Sequence, residues 1–230
     1  MAKLNVDGLL SNQALFRDVS PVEMERLQNE VVKVELDKGQ MLFRKGEMAQ
    51  GVYAVVYGLM KLSIPSMEGG EKVLELIRPG QNFGEAMIFL DEPYPFCAAA
   101  AENTLLLRVP PGALFRLLDS SPLMAREMMA GMSARLLGFI QNVERCSLQN
   151  ATQRVIEYLL QAATMQQSNE IRLDLKKNLV ASLLNLAPAT LSRVLHQLID
   201  QQLIKVSGSL IHIGNEAALK SYQHGPAMLH

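Results

Sequence analysis

The chain has little sulfur chemistry to offer: two cysteines, Cys97 and Cys146, in 230 residues. They stand far apart and match no metal-binding or redox spacing. No apolar run is long enough to span a bilayer. Residues 1–16 lack the apolar segment and small-residue cleavage site of a signal peptide. These absences predict a cytoplasmic protein with no membrane partner. Charge of one sign is missing too, with 22 Lys/Arg against 23 Asp/Glu and a formal net charge of −1. There is no clustered acid–base pair, nucleophile triad, metal-ligand spacing or phosphate loop, so an enzyme is not expected and no metal site is assigned.

Hydrophobic residues make up 49% of the chain and charged residues 20%. That balance excludes a long disordered chain and supports one or two packed domains. The small charge excess is unevenly placed. From Asn150 onward seven Lys/Arg face five Asp/Glu, whereas the preceding residues carry 15 and 18. The basic excess lies in the C-terminal part, which suits nucleic acid but is weak evidence alone.

Between about Val31 and Val109 the pattern is strand-like. Short apolar stretches at residues 31–36, 41–44, 52–57, 72–77 and 105–109 alternate with turn signals at Gly39, Gly46, Gly58, Glu68-Gly69-Gly70, Pro79-Gly80 and Pro110-Pro111-Gly112. Many short strands at this spacing predict an antiparallel sandwich, barrel or jelly roll. Long helices do not alternate with them, which disfavours a parallel α/β sheet.

Ser121-Pro122 is a helix start, with Ser at the cap and Pro in the first turn. Helix formers run from there to about Leu148. Met129, Met132, Leu136, Phe139, Val143 and Cys146 follow a 3-4 spacing, which predicts a dimer seam of about three heptads. A helix packed on its own domain is the alternative. A Met-rich seam would allow helices to shift.

A helix from Asn150 to about Met165 follows, then a Ser168-Asn169 turn, a short alternating strand over residues 170–175, and a helix over residues 176–184. After a break at residues 185–187 comes an amphipathic helix over residues 188–202, and then a hairpin over residues 203–214. This order is that of a winged helix-turn-helix. Ala181 permits close helix crossing, and Leu179, Leu183, Leu186, Leu191, Leu195 and Leu198 build the buried side. Thr190, Ser192, Arg193, His196 and Gln197 lie away from it. In such motifs the start of the second helix meets base edges. Arg193 is the candidate for a bidentate guanine contact, and Thr190 and Ser192 for phosphate or base edges. Lys205 and His212 on the wing are candidate backbone contacts. As a lone residue, Arg193 would more often be a solvated surface charge.

The chain resembles the superfamily of the cyclic-AMP receptor protein and Fnr over nearly its whole length. The residues that carry this are Leu36-Asp37-Lys38-Gly39, Phe43-Arg44-Lys45-Gly46-Glu47, Val52-Tyr53, Gly58, Lys61, Gly80-Gln81-Asn82-Phe83-Gly84-Glu85, residues 179–184 and Thr190-Leu191-Ser192-Arg193. The resemblance implies an α+β chain: a cyclic-nucleotide-binding-type β jelly roll over residues 1–120, a dimerisation helix over 121–148, a winged helix-turn-helix over 149–223, and a loose tail over 224–230. It implies a homodimeric transcription regulator, an activator rather than a repressor, that binds a near-palindromic double-stranded DNA site and contacts RNA polymerase.

The resemblance also bears on the effector. Cyclic-AMP receptors bind the phosphate through a Gly-Glu pair and an Arg-Ser pair about ten residues later. Gly84 and Glu85 are present, but the second place reads Pro95-Phe96-Cys97-Ala98, without cation or hydroxyl. Cyclic AMP is therefore not expected, and Glu85 would bind nearby backbone amides instead. Two cysteines cannot supply the four thiolates of an Fnr-type iron–sulfur cluster. Residues 83–93, 146–160 and 66–75 are similar to Dnr-type regulators, which respond to nitric oxide through haem and control denitrification genes. That likeness implies an effector pocket of Gly84, Glu85, Met87, Phe89, Cys97, Met132 and Leu136. All four histidines, at 196, 212, 224 and 230, lie outside the sensor part. Haem, another small apolar effector, and a redox or effector-free mode all stay open. The family's Glu before Ser-Arg is replaced by Ala189, following Pro188, so the half-site would differ at one base pair. A metabolite-binding protein that uses the helix-turn-helix as a protein interface is the second reading.

Overall fold

The computed structural model describes residues 6–11, 16–17, 19–65, 71–173 and 175–224. The expected turn at Glu68-Gly69-Gly70 and the tail beyond residue 224 lie outside them. The chain divides into two compact units, the first ending at Leu136 and the second starting at Leu137. The boundary falls inside one long helix.

The first unit is a jelly roll of two four-stranded sheets, with every pairing antiparallel. One sheet runs β1 (Val32–Leu36), β8 (Thr104–Val109), β3 (Val52–Tyr57), β6 (Asn82–Phe83). The other runs β2 (Met41–Phe43), β7 (Cys97–Ala100), β4 (Met60–Pro65), β5 (Glu71–Ile77). The expected α+β jelly roll is the observed architecture.

Alternation along β3 and β8 builds two cores from one sheet, because successive side chains point to opposite faces. Tyr53, Val55 and Leu106 face the roll interior with Met60, Leu62, Ala98 and Ala100 of the second sheet. Val52, Ala54, Leu107 and Val109 face the other way and meet a helical layer. That layer is formed by α1 (Val6–Ser11), α2 (Pro21–Glu30), α4 (Pro111–Ser120) and the start of α5 (Pro122–Leu148), through Leu10, Leu27, Leu114, Leu117, Met124 and Met128. Both faces are largely dry, so β3 and the Leu105–Leu107 stretch of β8 read as continuous apolar runs in the sequence. A short α3 (Glu85–Leu90) follows β6. At the expected start of α5, Ser121 Oγ accepts from the Met124 amide at 3.3 Å.

The second unit contains α6 (Ala151–Gln166), β9 (Glu170–Arg172), α7 (Lys177–Leu183), α8 (Pro188–Asp200), β10 (Ile204–Ser207), β11 (Leu210–Ile213) and α9 (Glu216–His224). Its sheet order is β10-β11-β9. Asn150 and Gln153 close a reciprocal capping box at the start of α6, at 3.0 and 2.9 Å. The strand expected over residues 170–175 ends at Arg172. Helix α9, which the sequence does not signal, carries the chain through His224, expected in the tail. Among the described residues no helix is long and apolar enough to cross a membrane.

Gly58 shows why one turn signal is obligatory. Its φ is +88°, and a Cβ there would lie 2.4 Å from the Asn103 carbonyl oxygen and 2.5 Å from Thr104 Oγ1. Thr104 is buried and its hydroxyl accepts the Leu59 amide at 3.1 Å. Gly39 has the same φ but open space around it. Gly58→Ala is therefore expected to lower stability by about 3 kcal/mol, and Gly39→Ala only by the backbone cost of about 1–2 kcal/mol. Urea unfolding of the two variants checks the order; equal costs would refute the steric account.

Candidate functional site

The helix-turn-helix is built around a tight turn between α7 and α8. Asn185 adopts φ +54°, the left-handed conformation that Asn tolerates. The Leu186 amide reaches back to the Ala181 carbonyl at 2.9 Å. Arg154, from α6, donates through one guanidinium nitrogen to the Leu184 carbonyl at 2.8 Å and the Asn185 carbonyl at 3.2 Å. This satisfies acceptors that the end of α7 leaves unpaired. Ala181 is fully buried, as the helix crossing requires. Leu191, Val194, Leu195 and Leu198 form the buried stripe of α8.

Opposite that stripe, Ser192, Arg193 and His196 are exposed. Among the described residues no ion pair engages Arg193, so its guanidinium is available to a ligand. The Ser192 carbonyl lies 2.8 Å from His196 Nδ1, which suits a ring with the proton on Nδ1 and Nε2 turned outward. Thr190 is half-buried at the flank, and Ala189 is exposed in the first turn. Gln197, expected to be a free contact, donates to the Tyr222 hydroxyl of α9 at 2.8 Å and so ties two helices together. On the wing Lys205 pairs across the hairpin with His212, and both are exposed. The two-residue turn places Gly208 at φ +61°, where a hairpin turn of this length favours glycine. Lys176 and Lys177, exposed at the head of α7, were not singled out from the sequence. Neither was Arg154, whose role depends on a contact across thirty residues of chain.

The seven expected effector residues do not form one pocket. Met87 packs on the interior of the roll, whereas Met132 packs on the helical core on the other side of the sheet. Phe89 is 43% exposed and meets Phe115 edge-on, with ring centroids 5.9 Å apart. Leu136 is exposed. Cys97 is buried but alternates with Ala98 and Ala100, which face the interior, and its sulfur accepts the Lys45 amide at 3.4 Å. Gly84 is buried before α3 with φ +92°. The interior itself is filled by aromatic rings: Phe43 stacks on Tyr94 at 3.6 Å, and Tyr53 on Phe83 at 5.3 Å. Burial pushes the Tyr94 and Tyr53 hydroxyls above the ordinary phenol range.

Glu85 corrects another expectation. It does not bind backbone amides; its partner is Arg135 of α5, whose Nη1 donates at 2.5 Å. The same guanidinium donates to the Asn82 carbonyl at 2.5 Å and to Glu75 at 3.3 Å. A cation is thus present at this site, but it comes from the long helix.

Of the residues expected to form a dimer seam on α5, Met132 alone is partly covered by its own domain. Met124, Met128 and partly Met132 face the helical core. The exposed apolar stripe is Met129, Leu136, Ile140 and Val143, flanked by Leu137 and by Phe139 at 41% exposure. Ile140, not singled out from the sequence, is exposed beside Phe139. Cys146 is exposed, and 100° per residue puts it well to one side of that stripe.

Residues 33–121 match the cyclic nucleotide-binding domain family, and residues 153–222 match the Crp-like helix-turn-helix domain family. The chain is 26% identical over 223 residues to the cyclic AMP receptor protein of Thermus thermophilus, covering 95% of this chain and 100% of that one. It is 29% identical over 183 residues to the transcriptional activator protein Anr of Pseudomonas protegens, covering 77% of this chain and 75% of the relative. The solved sensor domain of the transcriptional regulator DNR from Pseudomonas aeruginosa is 35% identical with a TM-score of 0.52, covering 59% of this chain and 91% of that structure.

The site geometry separates two kinds of variant. Arg193→Ala is expected to cost about 1–3 kcal/mol on a specific site and to relax its sequence preference. Arg154→Ala acts through the turn, so it is expected to weaken specific binding without changing the salt slope, whereas Lys205→Ala is expected to reduce that slope by about one. Binding isotherms at several salt concentrations distinguish them; an Arg193→Ala variant with unchanged affinity and preference would remove Arg193 from the reading surface.

Proposed function

The chain belongs to the Crp/Fnr family of DNA-binding transcription regulators, and we propose that it works as a cytoplasmic homodimeric activator whose sensor unit takes a small apolar effector. The observation that carries this is the pairing of two unoccupied surfaces: the outward face of α8 with Arg193, and the apolar stripe of α5. A stripe of Met129, Leu136, Ile140 and Val143 on a 27-residue helix needs a covering partner, and a second copy of the same helix supplies a self-complementary one. Two-fold symmetry then presents two α8 helices to half-sites about one helical turn apart on near-palindromic DNA. Lys176, Lys177 and Lys205 would position the duplex through phosphates, and Arg193 would read a base. Ala189 offers a methyl rather than a carboxylate, which suits thymine better than cytosine at that position. As an activator the dimer would also contact RNA polymerase; one relative is named a transcriptional activator protein.

The effector follows from the chemistry of the sensor. One relative is named a cyclic AMP receptor protein. In this chain Glu85 is engaged by Arg135, residues 95–98 offer neither cation nor hydroxyl, and the interior is aromatic. Those features disfavour a phosphate diester and favour an apolar molecule. Haem is the less favoured reading, because the interior of the roll offers no histidine. The side chains there that could approach an iron are Met60, Met87, Tyr53 and Tyr94, and burial pushes both phenols above their ordinary range, which keeps them from serving as phenolate ligands; Cys97 lies on the other face of its strand.

The seam predicts a chemical test. In a parallel two-stranded coil, core positions face their counterparts closely enough for a disulfide. Ile140→Cys is expected to cross-link two copies under mild oxidation, while native Cys146 does not; the reverse pattern would restore the seam through Met132, Phe139 and Cys146. Adding haem to the purified protein and recording absorption with carbon monoxide or nitric oxide tests the effector. No stoichiometric Soret shift is expected, and its appearance would replace the apolar reading with a haem one.

A further inference from the structure

Helix α5 meets the jelly roll through side chains of two kinds. Met124, Met128 and Met132 are flexible and unbranched, and they tolerate sliding. Arg135 is different: among the described residues it makes the only ion pairs between α5 and the rest of the sensor unit. It lies between Glu85 at the head of α3 and Glu75 of β5, with the Asn82 carbonyl as its third acceptor. Glu85 is 2% exposed, and Glu75 and Arg135 keep 24% of their side-chain surface. The cluster therefore sets two carboxylates against one cation, largely out of water. Each carboxylate retains a buried oxygen, Oε2, with no hydrogen-bond partner.

We propose that Glu75, Glu85 and Arg135 form a proton-linked lock that fixes the rotational setting of α5 on the sensor unit, firm when Glu75 carries a proton and loosened when both carboxylates are charged.

The stoichiometry supports it. One proton turns an orphan acceptor into a donor, and it leaves a balanced ion pair of Arg135 with the remaining carboxylate. The geometry assigns the proton to Glu75. Arg135 approaches Glu85 at 2.5 Å but Glu75 at 3.3 Å, so Glu85 is the better compensated anion. Burial raises the Glu75 carboxyl above its ordinary range, the nearby Glu85 charge adds to that, and Arg135 opposes it without cancelling it. Among the described residues the charged groups facing Glu75 are Arg135 from α5 and Glu85 from α3. Strand β4 places Leu62 opposite it, and β6 contributes the Asn82 carbonyl to the cluster.

The sign follows from linkage. A carboxyl raised on folding contributes stability that is fully present below its ordinary pKa of about 4.3, and loses it as the pH rises through the raised folded value. The lock is therefore firm in mild acid and weaker toward alkaline pH. Its consequence for function rests on the self-association reading above, because the setting of α5 decides which stripe faces the partner.

The test uses the full chain. Thermal midpoints of wild type and Glu75→Gln are compared from pH 5 to 8 at fixed salt, so that histidine titrations common to both cancel in the difference. Wild type is expected to lose a few degrees relative to Glu75→Gln as the pH rises, and Glu85→Gln to reduce that slope by leaving Arg135 to Glu75 alone. Arg135→Ala is expected to lower the midpoint at every pH, with Arg135→Lys restoring part of it. Parallel pH slopes in wild type and Glu75→Gln would overturn the lock. Sedimentation equilibrium adds the functional readout: the dimer of wild type is expected to weaken between pH 6 and 8 by about fivefold or more relative to Glu75→Gln, the lower end of ordinary coupling between sites. An absence of dimer at every pH would sink the self-association reading, while the midpoint comparison would still decide the lock.

Discussion

The sensor unit depends on one constraint: β3 and β8 must bury both of their faces. Tyr53, Val55 and Leu106 are committed to the interior of the roll, and Val52, Ala54, Leu107 and Val109 to the helices. A strand has only two faces, so the helical layer is as obligatory as the second sheet. This is why α5 begins as part of the sensor core rather than as an independent rod. Leu107 and Val109 have no water-exposed surface, and removing Met124 and Met128 from them would uncover the middle of the sheet.

From that docking follows the division of labour around α5. The methionine face is apolar and yielding, the adjacent face carries an exposed apolar stripe, and Arg135 fixes how the helix is turned on the sheets. A methionine contact gains little by being in one rotational setting rather than its neighbour, since dispersion is non-directional and the side chain adapts. A guanidinium held by two carboxylates and a carbonyl is directional, because its donors lie in a fixed plane. The phase of the helix is therefore set by polar geometry, although the energy of docking is mostly apolar.

Much of this was legible in the sequence and some was not, for identifiable reasons. Period-two runs, glycine turns and Ser121-Pro122 report local conformation, which is why the roll, the start of α5 and the order of the C-terminal elements could be read from residues alone. Gly58 was visible as a turn, but the crowding by Asn103 and Thr104 that makes it necessary comes from another strand. The heptad pattern on α5 was ambiguous because two apolar faces lie side by side. Met132 and Ile140 satisfy overlapping spacings, and only the presence of the sheet under Met132 decides between them. The Glu85–Arg135 pair spans fifty residues, so no local signal could join them. The sequence also placed Gln197 correctly on the polar side of α8, yet could not show that Tyr222 of the unforeseen α9 waits there.

The DNA-reading unit obeys the same logic with its polar and apolar parts exchanged. Its apolar stripe, Leu191, Val194, Leu195 and Leu198, fixes which side of α8 faces outward, and Ala181 lets α7 cross close beneath it. That alone leaves the angle between the helices free, because small and aliphatic residues accept several crossings. Arg154 removes the freedom by binding two carbonyls of the turn at once, and Asn185 accepts the left-handed backbone that the short connection demands. Arg193 is then left exposed on a helix whose orientation is determined on its buried side. Under the proposed reading, Arg193 needs an unpaired guanidinium on a helix whose direction is fixed. Here the two demands are met by different residues, so the reading side chain can stay free while the turn behind it is rigid.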